Sequence, residues 1–116
     1  PSFENTIEAM ELSGNDLQKA YAYYGVLSRN QSTPEFRTVQ KKLAPHFADY
    51  RSKLIQNEKL FKRIKTVYES AKKTHLEADQ HRLLEWIHQD FQMNGAALDK
   101  KKKTQYAEIN KTLSKL

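Results

Sequence analysis

The sequence predicts an all-α fold of about five helices in an antiparallel, bundle-like array, with the second helix kinked near Pro45. Three observations carry this. Apolar residues recur at steps of three and four along almost the whole chain. Only three glycines and three prolines punctuate 116 residues. The few breaks stand beside residues that start or stop helices. Residues 1–116 are expected to form a single helical segment, with no internal repeat.

The first helix begins at Ser2, whose hydroxyl can cap the free amides of the first turn. Its stripe is Phe3, Ile7, Met10, Gly14, Leu17, Tyr21, Tyr24 and Ser28, and alternating steps of four and three keep one face toward one partner. Gly14 lies on that stripe. An interior glycine costs a helix about 1 kcal/mol relative to alanine, so either the helix breaks there or a neighbouring backbone comes close.

The second helix starts at Thr33, with Pro34 in the first turn, where a missing amide costs nothing. Phe36, Val39, Leu43, Phe47, Tyr50 and Leu54 form its buried stripe. Pro45 interrupts it, and the lost ladder bond predicts a kink over residues 41–45 or a division into two shorter helices. Asn57 caps the third helix, which buries Leu60, Phe61, Ile64, Val67, Tyr68 and Ala71. A turn follows over residues 72–76. The fourth helix runs from about Glu77 to Asn94 and buries Leu83, Leu84, Ile87 and Phe91; Gly95 ends it in a left-handed cap. Asp99 then caps a fifth helix, whose stripe is the Lys102 stem, Tyr106, Ile109, Leu113 and Leu116. That stripe is still running at the last residue and the first residue is proline, so the expectation is a segment of a longer polypeptide.

Leu, Ile, Val and Phe make up 25 of 116 residues, just above the roughly 20% below which chains tend to stay unfolded. A thin core is expected, with apolar surface left exposed and dimers as one consequence. The net charge of +6 and pI of about 9.5 permit contact with phosphates or acidic partners. The 14 acidic residues interleave with the 20 basic ones, so most of the charge reads as a mixed, solvated face. The lysine run Lys100–Lys103 is the exception. On a helix, successive residues advance about 100°, so the four fan around the axis and form no patch. Cysteine is absent, which excludes disulfides and thiolate metal sites. No stretch approaches the ~18 apolar residues of a membrane helix.

No catalytic, cofactor-binding or metal-binding residue is expected in this chain. Around His75, Glu77 and Asp79 the spacing of a zinc-peptidase helix fails, because that motif needs two histidines four apart with a glutamate beside the first. His81, Glu85 and His88 share a helix face and could offer three zinc ligands. That face lies opposite Leu84 and Ile87, so it reads as solvated or as a contact to another domain. No nucleophile motif or Gly-rich phosphate loop is present, and Glu8 and Glu11 read as exposed charge balance. In the run Tyr21–Tyr24, Tyr21 and Tyr24 fall on the core stripe and Tyr23 points elsewhere, as a packing surface.

Three stretches carry a family resemblance. Residues 1–14, PSFENTIEAMELSG, resemble the opening of the thimet-oligopeptidase-like zinc metallopeptidases, the family of oligopeptidase A and dipeptidyl carboxypeptidase. Residues 33–64, from Thr33 to Ile64, are similar to the segment that follows there. Residues 82–116 resemble the next, with the landmarks Arg82-Leu83-Leu84-Glu85, Asp90-Phe91, Gly95-Ala96 and Ile109-Asn110. No single motif is diagnostic; their ordered succession over essentially the whole chain makes the resemblance fairly specific.

The resemblance implies an all-helical segment in the N-terminal part of a much longer enzyme, with two largely helical halves around a deep channel. A zinc site in the C-terminal half would cleave short peptides. No His-Glu-x-x-His occurs here, so no catalytic or zinc-binding residue carries over, and zinc is expected only in the full-length parent. The expected role is non-catalytic: a wall of the substrate channel, with the catalytic half of the parent as partner and peptides as substrate. No partnership with nucleic acid or membrane is expected, and the expected location is the cytoplasm, with the periplasm as the other option. The alternative is a freestanding basic helical module that binds nucleic acid or an acidic protein; a helical adaptor is a third reading.

Overall fold

A computed structural model describes residues 1–113. The chain opens with a π-helical stretch, Phe3–Glu8, followed by α1 (Ala9–Ser13), α2 (Asn15–Asn30), α3 (Pro34–Ile55), α4 (Glu58–Ser70), α5 (Ala78–Met93) and α6 (Lys100–Leu113). The π stretch, α1 and α2 together make the first expected helix, and α3 to α6 are the other four. There is no strand among the described residues, and no helix among them is long and apolar enough to cross a membrane.

The helix starts are set by side chains within one turn. The Asn5 amide donates to Ser2 Oγ at 3.2 Å, and the Ser2 amide donates back to Asn5 Oδ1 at 2.8 Å. The Phe36 amide donates to Thr33 Oγ1 at 3.2 Å and the Leu60 amide to Asn57 Oδ1 at 3.0 Å. Gly14 breaks the first helix. An added Cβ there would meet nothing nearer than the Glu11 carbonyl oxygen at 3.8 Å, so no neighbouring backbone approaches it. At Pro45 the single helix is realised: α3 continues through the proline from Pro34 to Ile55.

Three antiparallel pairings organise the helices. In the α2–α3 hairpin, the Tyr21 and Phe47 rings lie 5.0 Å apart, Tyr24 and Phe36 lie 5.6 Å apart, and Gln40 bonds Ser28. In the α4–α5 hairpin, Phe61 stacks parallel to Phe91 at 6.3 Å. α6 folds back along α3 and is fixed at one end by the Gln56 side-chain Nε2, which donates to the Lys103 carbonyl at 3.5 Å. The π stretch lies on α4, where the Arg63 guanidinium donates to the Asn5 side chain at 3.0 Å and to Thr6 Oγ1 at 3.3 Å. The result is a slab of 54 × 34 × 17 Å, no more than two layers deep for helices packed 8–10 Å apart.

The core is confined to one part of this slab. Ile7, Ile64 and Leu84 are fully buried, joined by Phe3, Ile55, Val67, Ala71, Ile87, Phe91 and Ala96. It forms where the π stretch, α4, α5 and the end of α3 meet. The stripes expected elsewhere are corrected by this arrangement. α2 has no buried residue; Leu17 and Tyr21 are exposed, as are Val39 and Tyr50 of α3, Tyr68 of α4, and Ile109 and Leu113 of α6. Leu116, assigned to the last stripe, lies outside the described residues. Helical spacing fixes which side chains share a face; it does not supply the element that covers that face.

Candidate functional site

Between α3 and α6 runs an open groove with a cavity volume of about 430 Å³, lined by Pro45, His46, Ala48, Ser52, Ala107 and Asn110 among others. Ala48, Ser52 and Ala107 leave space between the two antiparallel helices, and His46, Asp49, Glu108 and Lys111 stand along the same groove. A smaller depression of about 240 Å³ continues it toward Arg51, Asn94 and Tyr106. Arg51 reaches from α3 to the Asp90 carboxylate of α5 at 3.4 Å, and Lys53 pairs with Asp49 at 2.7 Å along the exposed side of α3.

The hydroxyls of the groove are engaged in structural bonds. Thr104 Oγ1 donates to the Lys100 carbonyl at 3.0 Å, and Ser52 Oγ accepts from the Gln56 side-chain Nε2 at 3.2 Å. Neither is joined to an imidazole or carboxylate that would take its proton, which a nucleophile requires. The surface offers hydroxyls, the Asn110 amide, charged side chains and apolar patches on which a chain can rest.

His81, Glu85 and His88 do not form a ligand set. His88 was expected on an outward face, and the structure corrects this: its side chain is buried against α4. The imidazole stacks on the Tyr68 ring at 4.0 Å with 7° between the planes, and lies 6.0 Å from the Phe61 ring. Its Nε2 is buried with no hydrogen-bond partner. Burial is the main cause that pulls the His88 pKa below 6.5; the Lys65 charge adds to this and Glu69 opposes it. Glu85 stays in solvent and His81 is half-buried. Among the described residues no three His, Cys, Asp or Glu side chains gather as a metal site. Glu77 sits at the start of α5, where its amide donates to Gln80 Oε1 at 2.9 Å. The described residues therefore offer no donor set for the zinc that the family resemblance implies for a larger enzyme.

The lysine run is divided among separate tasks. Asp99 caps α6 through the Lys102 amide at 2.8 Å, and Lys102 Nζ lies 3.8 Å from the same carboxylate. The buried stem belongs to Lys103 and not to Lys102, one residue later than expected; its Nζ lies 3.6 Å from Glu58. Lys103 shares the inward side of α6 with Tyr106, Ala107 and Asn110. Lys100 and Lys101 remain in solvent. The four charges do not converge on one surface, and nothing in this geometry favours a phosphate backbone.

Upstream of the run, Gly95 has φ +91°. The Ala96 amide donates to the Phe91 carbonyl at 2.9 Å and the Gly95 amide to the Gln92 carbonyl at 3.1 Å, the paired bonds of a left-handed helix stop. This corner aims α6 back along α3 and so creates the groove. The sequence reading missed the groove because its signal, small residues at 48, 52 and 107, is visible only once α3 and α6 are paired. It missed the burial of His88 because the imidazole lies at the margin of the α5 stripe, one turn beyond Leu84.

Residues 1–103 match the family described as neurolysin/thimet oligopeptidase, N-terminal domain. A dipeptidyl carboxypeptidase of Escherichia coli (strain K12) is 27% identical over 110 residues, and one of Salmonella typhimurium (strain LT2) is 26% identical over 110 residues. Each match covers 95% of this chain and 16% of the relative. The chain thus spans about one sixth of the length of these relatives.

Proposed function

Since this chain belongs to the neurolysin/thimet oligopeptidase N-terminal domain family, we propose that it is the non-catalytic helical portion of a larger metallopeptidase and forms one wall of the channel that receives short peptides. The groove between α3 and α6 carries this reading. Small side chains, the Asn110 amide, His46 and the charged Asp49, Glu108 and Lys111 line it, and its hydroxyls are held in structural bonds. Such a surface suits contact with many peptide sequences, since backbone amides find partners there and no deep pocket selects one side chain. Hydrolysis, and the metal it needs, belong to the remaining five sixths of a protein the size of the relatives.

Two measurements test this. The 116-residue chain, supplied with zinc, leaves chromogenic short peptides uncut; chelator-sensitive cleavage by a pure sample refutes the proposal. In the longer polypeptide, Ala48→Arg combined with Ala107→Arg fills the groove and raises KM for peptides of eight or more residues more than for the shortest substrates. Equal kinetics for both lengths would remove the wall from substrate contact.

A further inference from the structure

α2 is a helix of 16 residues that buries none of them. Its inward side has an account: Tyr21 and Tyr24 meet Phe36 and Phe47 of α3. Its outer side has none. Steps of three and four place Asp16, Lys19, Tyr23 and Val26 along one side, with Leu27 beside them and Leu12 in the preceding turn. Leu12 is 60% exposed, Tyr23 75% and Val26 53%. Helices of this length are marginal in water unless an apolar face is covered, and a run of exposed aromatic and branched side chains marks an interface.

The extent of the slab and the length of the relatives indicate what covers it. At 17 Å in its shortest dimension, the described residues supply no further layer to lay over α2. Relatives that match 95% of this chain carry it as 16% of their length, so the bulk of such a protein lies outside these residues. We infer that the outer face of α2, centred on Tyr23, docks against an apolar helical face of the remaining polypeptide, with a cation opposite Asp16 and an anion opposite Lys19, and that α2 becomes firmly ordered only in that contact. This rests on the channel-wall reading and adds to it which face is covered and what covering does: the α2–α3 hairpin is set in place by docking, whereas the α4–α5 core folds without it.

Hydrogen exchange followed by mass spectrometry tests this on the 116-residue chain and on the longer polypeptide that contains it. In the short chain, α2 amides exchange at least tenfold faster than those of α4 and α5. In the longer polypeptide they slow at least tenfold, while α4 changes little. Tyr23→Glu leaves the circular dichroism of the short chain unchanged and abolishes the added protection in the long one. Unchanged α2 exchange in a long polypeptide that cleaves peptides overturns the docking inference and leaves the proposed function standing. Protection without any cleavage does the reverse. Protection of α2 in the short chain that rises with concentration, together with a dimer in sedimentation, identifies a second copy as the occupant and also overturns the inference.

Discussion

Replacing Gly95 by alanine should be the most costly single-methyl change in the chain. At φ +91° an L-residue brings its Cβ against the following carbonyl, at about 1–2 kcal/mol. The added carbon would also lie 3.0 Å from Leu98 Cδ1 and 3.4 Å from Tyr106 Cδ1. The leucine tip can turn aside and the tyrosine ring less so, which adds about 1–2 kcal/mol of overpacking. Lower entropy of the unfolded chain returns about 0.4–1 kcal/mol. The net loss is therefore about 1.5–3 kcal/mol. A domain of this size holds roughly 0.05–0.15 kcal/mol per residue, so the loss is a large share of the total. Urea unfolding followed at 222 nm reads it as a lower midpoint with an unchanged slope. Gly14→Ala is the control: its φ of −89° is ordinary, nothing crowds it, and alanine there should stabilise by up to about 1 kcal/mol. A Gly95→Ala loss below about 0.5 kcal/mol, or one matched by Gly14→Ala, would refute the assignment of that corner.

Other outcomes follow from the same contacts. His88 is held neutral between two rings, with its pKa below 6.5; the unfolded chain takes the proton first as pH falls, so stability is steady above about pH 6.5 and declines below it. Urea midpoints at pH 7.5 and 5.5 measure this, and His88→Phe should flatten the difference. Ile64→Ala should cost about 2–5 kcal/mol, because the side chain is fully buried. Ile109→Ala, on the exposed side of α6, should cost under about 0.5 kcal/mol in the isolated chain; equal losses at the two sites would disprove the assigned core. Lys103→Ala should lower the thermal midpoint while Lys101→Ala leaves it in place, since only Lys103 has a buried stem.

Much of the local structure was legible in the sequence. Ser2, Thr33, Asn57, Gly95 and Asp99 were each assigned to a helix end, and each stands there. A cap is decided by atoms three to five residues apart, so the information sits in one short stretch. The buried faces of α4 and α5 were legible for a related reason: Ile64, Val67, Leu84, Ile87 and Phe91 repeat at helical spacing, and two adjacent helices joined by a short turn cover each other. The family, too, was legible, through the ordered succession of segments rather than through any catalytic motif.

What the sequence determined by itself is where each helix starts and stops and which residues share its faces. What only the tertiary structure decided is which faces are covered. Tyr21, Val39 and Ile109 have the periodicity of core residues and lie exposed; even the Phe47 ring, which meets Tyr21, leaves about half of that side chain open. His88 and Lys103 have the character of surface residues and are buried, because α4 lays Phe61 and Tyr68 against the imidazole and α6 turns the Lys103 stem inward toward Glu58. Capping energies act within a turn, whereas burial sums contributions from residues far apart in sequence. The outer side of α2, with Leu12, Tyr23 and Val26, is likewise left uncovered by the described residues.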